Sequence, residues 1–253
     1  MITLDAIAGT ATPGTLYGIG VGPGDVRYLS LRAAGLIRSV DVLASFAKAG
    51  RESHSRTIVL PLLEAGRREL KMAYPVTTEI PTSDQNYRRS LAAFYAEAVE
   101  TIAAALGKGQ SVGVLSEGDP FFYGSFMHLW RRLADRFPVE VVPGITGMAG
   151  AWSRAGAPIT WGDDILTVLP GTLDEAVLAR RLADTDAAVV MKLGRHLPKV
   201  IRALTIAGCL DRAVYVERAT MPGERVMPLS EYALEQAAPY FSVVLVPGRG
   251  RRV

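Results

Sequence analysis

Short apolar runs that end in glycine or proline alternate along this chain with segments of helical periodicity. The run "GTLYGIGVGPGD" (14–25) precedes a helical segment at 28–38, and "VDVLAS" (40–45) follows it. The same alternation continues through "SVGVL" (111–115) and "VEVVPG" (139–144). This order predicts an α/β fold with a mostly parallel sheet and helices packed on it. In such folds ligands bind at the carboxyl ends of the strands.

The clearest helix is predicted from Asp84 to Leu106. Its apolar residues recur at spacings of three and four, as on one buried face, and they are Leu91, Phe94, Tyr95, Ala98, Val99, Ile102 and Leu106. Ser83 or Asp84 can cap its start, and Gly107 and Gly109 end it. A second stripe of helical spacing comprises Phe122, Phe126, Leu129, Trp130, Leu133 and Phe137.

Composition excludes several classes of protein. The chain has 253 residues, of which 49% are hydrophobic and 21% charged, so a largely disordered chain is excluded. Its one cysteine, Cys209, cannot form an intrachain disulfide, which favours a reducing, cytoplasmic location. The start of the chain lacks the features of a signal peptide, and no apolar run is long enough for a membrane span.

Charge and histidine placement narrow the choice of partner. The net charge of +3 mildly favours an anionic partner. Part of it comes from the arginine-rich tail 249–252, so it is no argument for nucleic acid. The histidines His54, His128 and His196 have no partners at metal-ligand spacing, so no metal site is predicted.

The glycine-rich stretch "PGITGMAGA" (143–151) indicates a domain boundary. It divides an N-terminal α/β domain (14–143, with the glycine loop) from a C-terminal α/β domain (148–253), with a hinge at 143–148. Residues 1–13 are predicted to be a loose leader, and the proline-broken segment 48–83 an excursion from the main sheet. The second half has more strand at its end, which favours a mixed sheet there.

The loop "GIGVGPGD" (18–25) follows the first strand. It has no lysine where a phosphate-binding Walker loop needs one, and neither glycine register matches the dinucleotide fingerprint. Two interpretations remain open at this point. The loop is either a ligand loop or a tight strand-to-helix turn in which Asp25 caps the helix.

Three further segments carry candidate chemistry. In "SEGDPFFYG" (116–124), Asp119 and Pro120 are typical of a helix start, and the adjacent aromatic residues line either a pocket or the core. The segment "VVPGITG" (141–147) places Thr146 after a strand. In "VVMKLGRH" (189–196), the basic residues either bind a carboxylate or form a solvated helix start. The serines lack the G-x-S-x-G pattern of a hydrolase.

Five segments in order resemble the tetrapyrrole methylases of corrin biosynthesis. They are "YGIGVGPGD", "SEGDPFFYG", "VVPGITG", "VVMKLGRHLPKV" and "VYVERATMPGER", which together span nearly all of residues 14–247. The resemblance implies the class III methyltransferase fold, with two α/β domains, a ligand cleft between them and a homodimer. It also implies S-adenosylmethionine (SAM) as cofactor, bound in that cleft.

The resemblance also implies which residues contact each ligand. The residues carried over for SAM are Gly118, Asp119, Phe122, Thr146, Gly147, Met191, Ala219, Thr220 and Pro247. The glycine loop, with Gly20, Gly22 and Gly24, then faces the tetrapyrrole. The last two motifs and the segment 48–83 are most similar to family members that methylate carbon 20 of precorrin-2 to give precorrin-3A, a step of cobalamin (vitamin B12) biosynthesis.

Methyl transfer to an electron-rich carbon needs alignment, a dry site and a base for the departing proton. The candidate bases are Asp25, Glu117 and Tyr123, although capping explains Asp25 equally well. The basic residues Arg27, Arg88, Lys192 and Arg195 are candidates to pair with the substrate's carboxylates.

Three alternatives stay open. The first two are a methylase acting on another corrin carbon and a C(20)-methyltransferase that acts on cobalt-factor II. The third is a non-catalytic binder of an anionic small molecule.

Overall fold

The computed structural model describes residues 4–75, 84–232 and 237–250. The chain divides into two compact units, Met1–Thr146 and Gly147–Val253. Each unit is built on its own five-stranded sheet. The expected α/β fold with two α/β units is confirmed.

The first unit contains an entirely parallel sheet in the order β3-β2-β4-β1-β5. Its strands are Leu16–Gly20 (β1), Val42–Lys48 (β2), Glu69–Tyr74 (β3), Val112–Ser116 (β4) and Val139–Val142 (β5). Its helices are Leu4–Ala8 (α1), Leu31–Ser39 (α2), His54–Val59 (α3), Gln85–Leu106 (α4) and Phe126–Leu133 (α5). All five strands therefore present their carboxyl ends at one edge.

Helix α4 forms where its periodicity predicts it. The Asp84 side chain caps the start by accepting from the Asn86 N–H at 2.7 Å, and Gly107 is the C-cap. Ile102 lies on the buried face with no exposed surface. Truncating such a residue to alanine costs about 2–5 kcal/mol. The predicted capping residue Ser83 lies outside the described residues, as does the end of the predicted excursion, 76–83.

Apolar cores cover both faces of this sheet. Helices α4 and α5 pack on one face, where Val112 and Val114 of β4 are buried. Helices α2 and α3 pack on the other face against Tyr17, Ile19 and Leu115. A parallel sheet that is covered on both faces needs apolar side chains in both directions, which explains why "LYGIG" and "VGVLS" are buried throughout.

The second unit contains the mixed sheet that the sequence favours, in the order β6-β7-β10-β8-β9. Its strands are Leu166–Pro170 (β6), Ala187–Met191 (β7), Val214–Glu217 (β8), Arg225–Pro228 (β9) and Ser242–Val246 (β10). Its helices are Gly147–Ala155 (α6), Glu175–Ala183 (α7) and Leu197–Ile206 (α8). Strands β6, β7 and β8 point one way, and β9 and β10 point the other.

Four local expectations differ from the structure. The segment 48–83 is not wholly an excursion, because β3 pairs with β2 in the sheet. The leader contains α1, and β9 is an additional strand. Helix α5 begins at Phe126 rather than near Phe122, because Tyr123 has a left-handed backbone with φ of +56°. These elements are short, so they produce little periodicity in the sequence.

Within the described part of the chain, no helix is long and apolar enough to cross a membrane.

Candidate functional site

Three glycines from three predicted motifs meet at the carboxyl edge of the parallel sheet. A Cβ added to Gly144 would lie 2.0 Å from the Gly118 carbonyl oxygen and 2.8 Å from the Gly20 Cα. A Cβ added to Gly20 would lie 2.5 Å from the Gly144 nitrogen. The glycine loop, the acid–proline turn and the segment after β5 therefore pack backbone against backbone.

The glycine loop and the acid–proline turn are also joined by hydrogen bonds. The Gly118 N–H donates to the Gly22 carbonyl at 2.9 Å, and the Gly22 N–H donates to the Gly118 carbonyl at 3.3 Å. Both residues have positive φ, +77° for Gly22 and +64° for Gly118, a conformation that favours glycine. Gly20 and Gly22 are buried, while Gly24 is half-buried. Backbone packing thus accounts for Gly20 and Gly22 without a ligand.

The Asp119 carboxylate holds this arrangement together. It accepts from the Phe121 N–H at 2.8 Å and from the Gly144 N–H at 3.0 Å. The residue is a turn cap rather than the helix cap that its sequence suggests, because α5 begins only at Phe126. Beside it Phe122 is half-buried, and its ring centroid lies 4.9 Å from that of the exposed Tyr123.

Asp25 follows the glycine loop and caps a short 3-10 helix at Val26–Tyr28, whereas Ser30 caps α2. The Asp25 carboxylate accepts from the Arg27 guanidinium at 2.6–3.1 Å and from the Arg27 backbone N–H at 2.9 Å. The side-chain hydrogen bond with Arg27, followed by the backbone one, lowers the pKa of Asp25 to about 2. A carboxylate with so low a pKa is a weak proton acceptor at neutral pH.

Glu117 lies at the end of β4 in a different environment. Its carboxylate accepts from the Ser55 N–H at 2.9 Å, and burial raises the pKa of this carboxyl above its ordinary value. Desolvation disfavours the charged form, so the carboxylate gains proton affinity. Glu117 therefore holds a proton more strongly than an ordinary glutamate, whereas the pKa of Asp25 is lowered.

In the second unit, several predicted SAM residues lie at one edge of the mixed sheet. Met191 ends β7, and Ala219 and Thr220 follow β8, which points in the same direction. Met191 and Ala219 pack with α6 in one apolar cluster. Gly147 begins α6, and a Cβ added there would meet no atom within 4 Å.

Pro247 is not brought to that edge. It follows Val246, which is paired with Ala188 near the start of β7. Strand β10 is antiparallel, so Pro247 lies about 13 Å along the sheet from Met191, at ~3.3 Å per residue. The Arg212 guanidinium donates to the carbonyls of both Asp186 and Pro247, which places Pro247 at the opposite edge.

The four basic candidates are exposed. Arg27 is paired with Asp25, and Arg88 lies in the first turns of α4. Lys192 and Arg195 follow β7, and Lys192 has a left-handed φ of +56°. Within residues 4–75, 84–232 and 237–250 no group of three His, Cys, Asp or Glu side chains is placed to hold a metal.

Sequence reasoning missed two long-range contacts, that of Ser55 with Glu117 and that of Arg154 with Glu224. Ser55 lies 62 residues from Glu117, and Arg154 forms an ion pair with Glu224 across 70 residues. Neither contact has a local sequence signal, because each depends on how distant segments pack.

The chain matches one protein family over most of its length. The model for the Tetrapyrrole (Corrin/Porphyrin) Methylases matches residues 15–235. The chain belongs to the tetrapyrrole methylases. The resemblance of the five motifs to this family is therefore confirmed.

Two relatives of this tetrapyrrole methylase are C(20)-methyltransferases by name. It is 56% identical over 235 residues to the precorrin-2 C(20)-methyltransferase of Sinorhizobium sp, covering 93% of this chain and 96% of that protein. It is 29% identical over 237 residues to the cobalt-precorrin-2 C(20)-methyltransferase of Salmonella typhimurium, covering 92% and 96%.

A solved structure of the same fold is the uroporphyrin-III C-methyltransferase of Thermus thermophilus, complexed with S-adenosylhomocysteine. The TM-score is 0.65 at 22% identity, with 92% of each chain covered.

The residues of the second unit fit SAM. The open space at Gly147, the half-buried apolar side chains of Met191 and Ala219, and the hydroxyl of Thr220 combine apolar walls with polar groups. This is the usual chemistry of a small-molecule site.

Proposed function

We propose that this chain is a SAM-dependent precorrin-2 C(20)-methyltransferase of cobalamin biosynthesis, forming precorrin-3A. The observation that carries the proposal is the 56% identity over nearly the whole length of both this chain and a protein of that name. The family membership and the absence of a nucleotide fingerprint in the glycine loop agree with it.

We assign SAM contacts within each unit separately. In the first unit they are Gly118, Asp119, Phe122 and Thr146, and in the second Gly147, Met191, Ala219 and Thr220. When bound, SAM supplies an electrophilic methyl group. The chain supplies backbone groups held at fixed positions, because Gly118 and Gly144 are locked against each other.

We assign the proton-accepting role to Glu117. The proton leaves carbon 20 after the new bond to the methyl group has formed, so a carboxylate with raised proton affinity is suited to take it. Asp25 is assigned the capping of the 26–28 turn, because its carboxylate accepts from the Arg27 N–H at 2.9 Å. The exposed side chains of Lys192, Arg195 and Arg88 are proposed to pair with the tetrapyrrole's carboxylates.

The test is incubation of the protein with SAM and metal-free precorrin-2, followed by mass spectrometry and location of the new methyl group. The proposal requires a gain of one methyl group at carbon 20. Methylation of another carbon, or a strong preference for cobalt-factor II, would replace the substrate assignment. SAM binding without turnover on any of these substrates would leave a non-catalytic binder.

We further propose a cytoplasmic homodimer, since two-fold dimers are the commonest assemblies. Sedimentation of the protein at micromolar concentration as a single monomeric species would contradict the dimer.

A further inference from the structure

The loop 218–224 connects β8 and β9 and carries the proposed SAM residues Ala219 and Thr220. The antiparallel register closes it with Glu217 opposite Arg225. Two of its non-glycine residues have left-handed backbones, Arg218 with φ of +50° and Thr220 with φ of +64°. Such conformations cost free energy and persist only where other contacts hold them.

The Glu224 carboxylate makes such contacts, because it binds the Thr220 backbone and the Arg154 side chain. Oε2 accepts from the Thr220 N–H at 2.7 Å. The Arg154 Nε lies 2.8 Å from each carboxylate oxygen, and Nη2 lies 2.7 Å from Oε1. These bonds are charge-assisted and close to bidentate, the strongest geometry for such a pair.

Arg154 connects this loop to a second proposed SAM segment. It lies in the last turn of α6, whose first residue is Gly147. The side chains of Met148, Ala151 and Trp152 of α6 pack in the cluster that contains Met191 and Ala219. One carboxylate thus fixes the Thr220 backbone and also anchors the helix that presents Gly147.

We propose that Glu224 is a positioning residue of the SAM site, holding the 218–224 loop and helix α6 in the arrangement that receives SAM. The inference rests on the proposed function. In this role Glu224 acts through the Thr220 backbone and through Arg154 of α6, so its removal is expected to weaken SAM binding and to leave the chemical step unchanged once SAM is saturating. Arg154, followed by the Thr220 N–H, also lowers the pKa of Glu224, so the carboxylate is ionised at neutral pH.

A matched ion pair on the same unit provides the control. Arg202 of α8 donates to Glu175 of α7 at 2.8 Å. The exposed fractions of the two arginine side chains are similar, 59% for Arg202 and 49% for Arg154. Helices α7 and α8 pack in the cluster on the other face of the sheet, away from α6. Loss of this pair tests the effect of removing a surface ion pair as such.

The experiment is SAM titration calorimetry on the wild type and on Glu224→Ala, Glu224→Gln, Arg154→Gln and Glu175→Gln. Glu224→Ala is expected to raise the Kd about tenfold, as loss of a charge-assisted hydrogen bond does. Glu224→Gln keeps an acceptor for the Thr220 N–H and Arg154→Gln keeps the carboxylate, so each is expected to raise the Kd about threefold. Glu175→Gln is expected to leave it unchanged.

Two further readouts separate positioning from a purely structural role. With precorrin-2, the KM for SAM is expected to rise with kcat retained. In the absence of SAM, hydrogen exchange in Glu224→Ala is expected to accelerate in both 147–155 and 218–224. Acceleration in 218–224 alone, or an unchanged Kd in Arg154→Gln, would overturn the link to α6.

The outcomes also separate this inference from the proposed function. If the wild type binds no SAM, both fall. If the wild type binds SAM and the three variants of the Glu224–Arg154 pair bind it as tightly as Glu175→Gln does, the proposed function stands and Glu224 is only a surface ion-pair residue.

Discussion

The two sheets of this protein differ in strand direction, and the difference decides which candidate residues come together. In the first unit all strands are parallel, so the loops after β1, β4 and β5 meet at one edge. In the second unit β10 is antiparallel, so Pro247 lies at the edge opposite to Met191 and Thr220. In a parallel sheet all strands have their carboxyl ends on the same side, so the rule that ligands bind at these ends points to one side of the sheet. In a mixed sheet carboxyl ends lie on both sides, and the rule does not choose between them.

The same comparison applies to two glycines three residues apart. Gly144 belongs to the parallel edge and is packed against Gly118 and Gly20, whereas Gly147 begins α6 in open space. Packing requires a glycine at position 144, whereas Gly147 is exposed, and only the proposed function places a ligand beside it.

Gly144→Ala is expected to lower the free energy of unfolding by about 3 kcal/mol or more, since its Cβ would overlap the Gly118 carbonyl oxygen and backbone must shift. Gly147→Ala is the matched control, expected to be neutral or to stabilise by about 0.5 kcal/mol as alanine does in a helix. Urea unfolding measures both. Equal stabilities would show that the glycine contact at the parallel edge is not required.

These two variants also separate fold from ligand. Gly147→Ala is expected to weaken SAM binding although it folds normally, because the added methyl group occupies the open space. Unchanged SAM affinity in Gly147→Ala would remove Gly147 from the proposed site.

Glu117→Gln is expected to lower turnover about a hundredfold, the loss typical of a general base. The stability of the wild-type protein depends on pH through the Glu117 carboxyl group. The folded-state pKa of Glu117 is raised above the ordinary 4.5, so the wild type loses stability as the pH rises from about 4.5 through that folded-state value. Glutamine does not ionise, so the variant is expected to be the more stable protein at pH 7.

Glu140→Gln serves as the control of opposite sign. The Arg32 side chain lowers the pKa of Glu140, so that pair stabilises the protein above pH 4.5 and loses its effect as the pH falls through the lowered value. Urea unfolding from about pH 2 to pH 8 follows both effects, and turnover measured near neutral pH completes the comparison. Wild-type turnover in Glu117→Gln would exclude it as the base.

Asp119→Ala is expected to cost about 2 kcal/mol of folding free energy, because the N–H groups of Phe121 and Gly144 lose a charged acceptor. Asp119→Asn keeps one acceptor oxygen and is expected to lose less. SAM affinity should fall with stability across the pair. Wild-type stability and SAM affinity in the alanine variant would refute the role of this turn.

Met191→Ala and Pro247→Ala sharpen the comparison within the mixed sheet. The first is expected to raise the SAM Kd about tenfold by removing an apolar contact. The second is expected to change it by less than about twofold, since residues away from an interface contribute little, and alanine keeps the carbonyl that accepts from Arg212. A larger effect at Pro247 than at Met191 would place the SAM site at the other edge.

Much of this protein is determined by local sequence. The apolar period of three and four residues specifies α4, and Asp84 and Gly107 set its ends, since helix caps are local hydrogen-bonding problems. Runs such as "LYGIG" specify buried strands, because a strand covered on both faces of a parallel sheet has apolar residues in succession. The positive φ of Gly22 and Gly118 was open to sequence reasoning as well, because turns of this kind favour glycine.

Only the tertiary structure decided which of these local features act together. The direction of β10, the contact of Glu117 with Ser55 and that of Glu224 with Arg154 all join segments far apart in the chain. Asp25 is an example, because its position in the sequence fits catalysis and capping equally well, and only the contact of its carboxylate with Arg27 decides between them. A side chain's chemistry depends on burial and on its partners, and those are properties of packing rather than of spacing along the sequence.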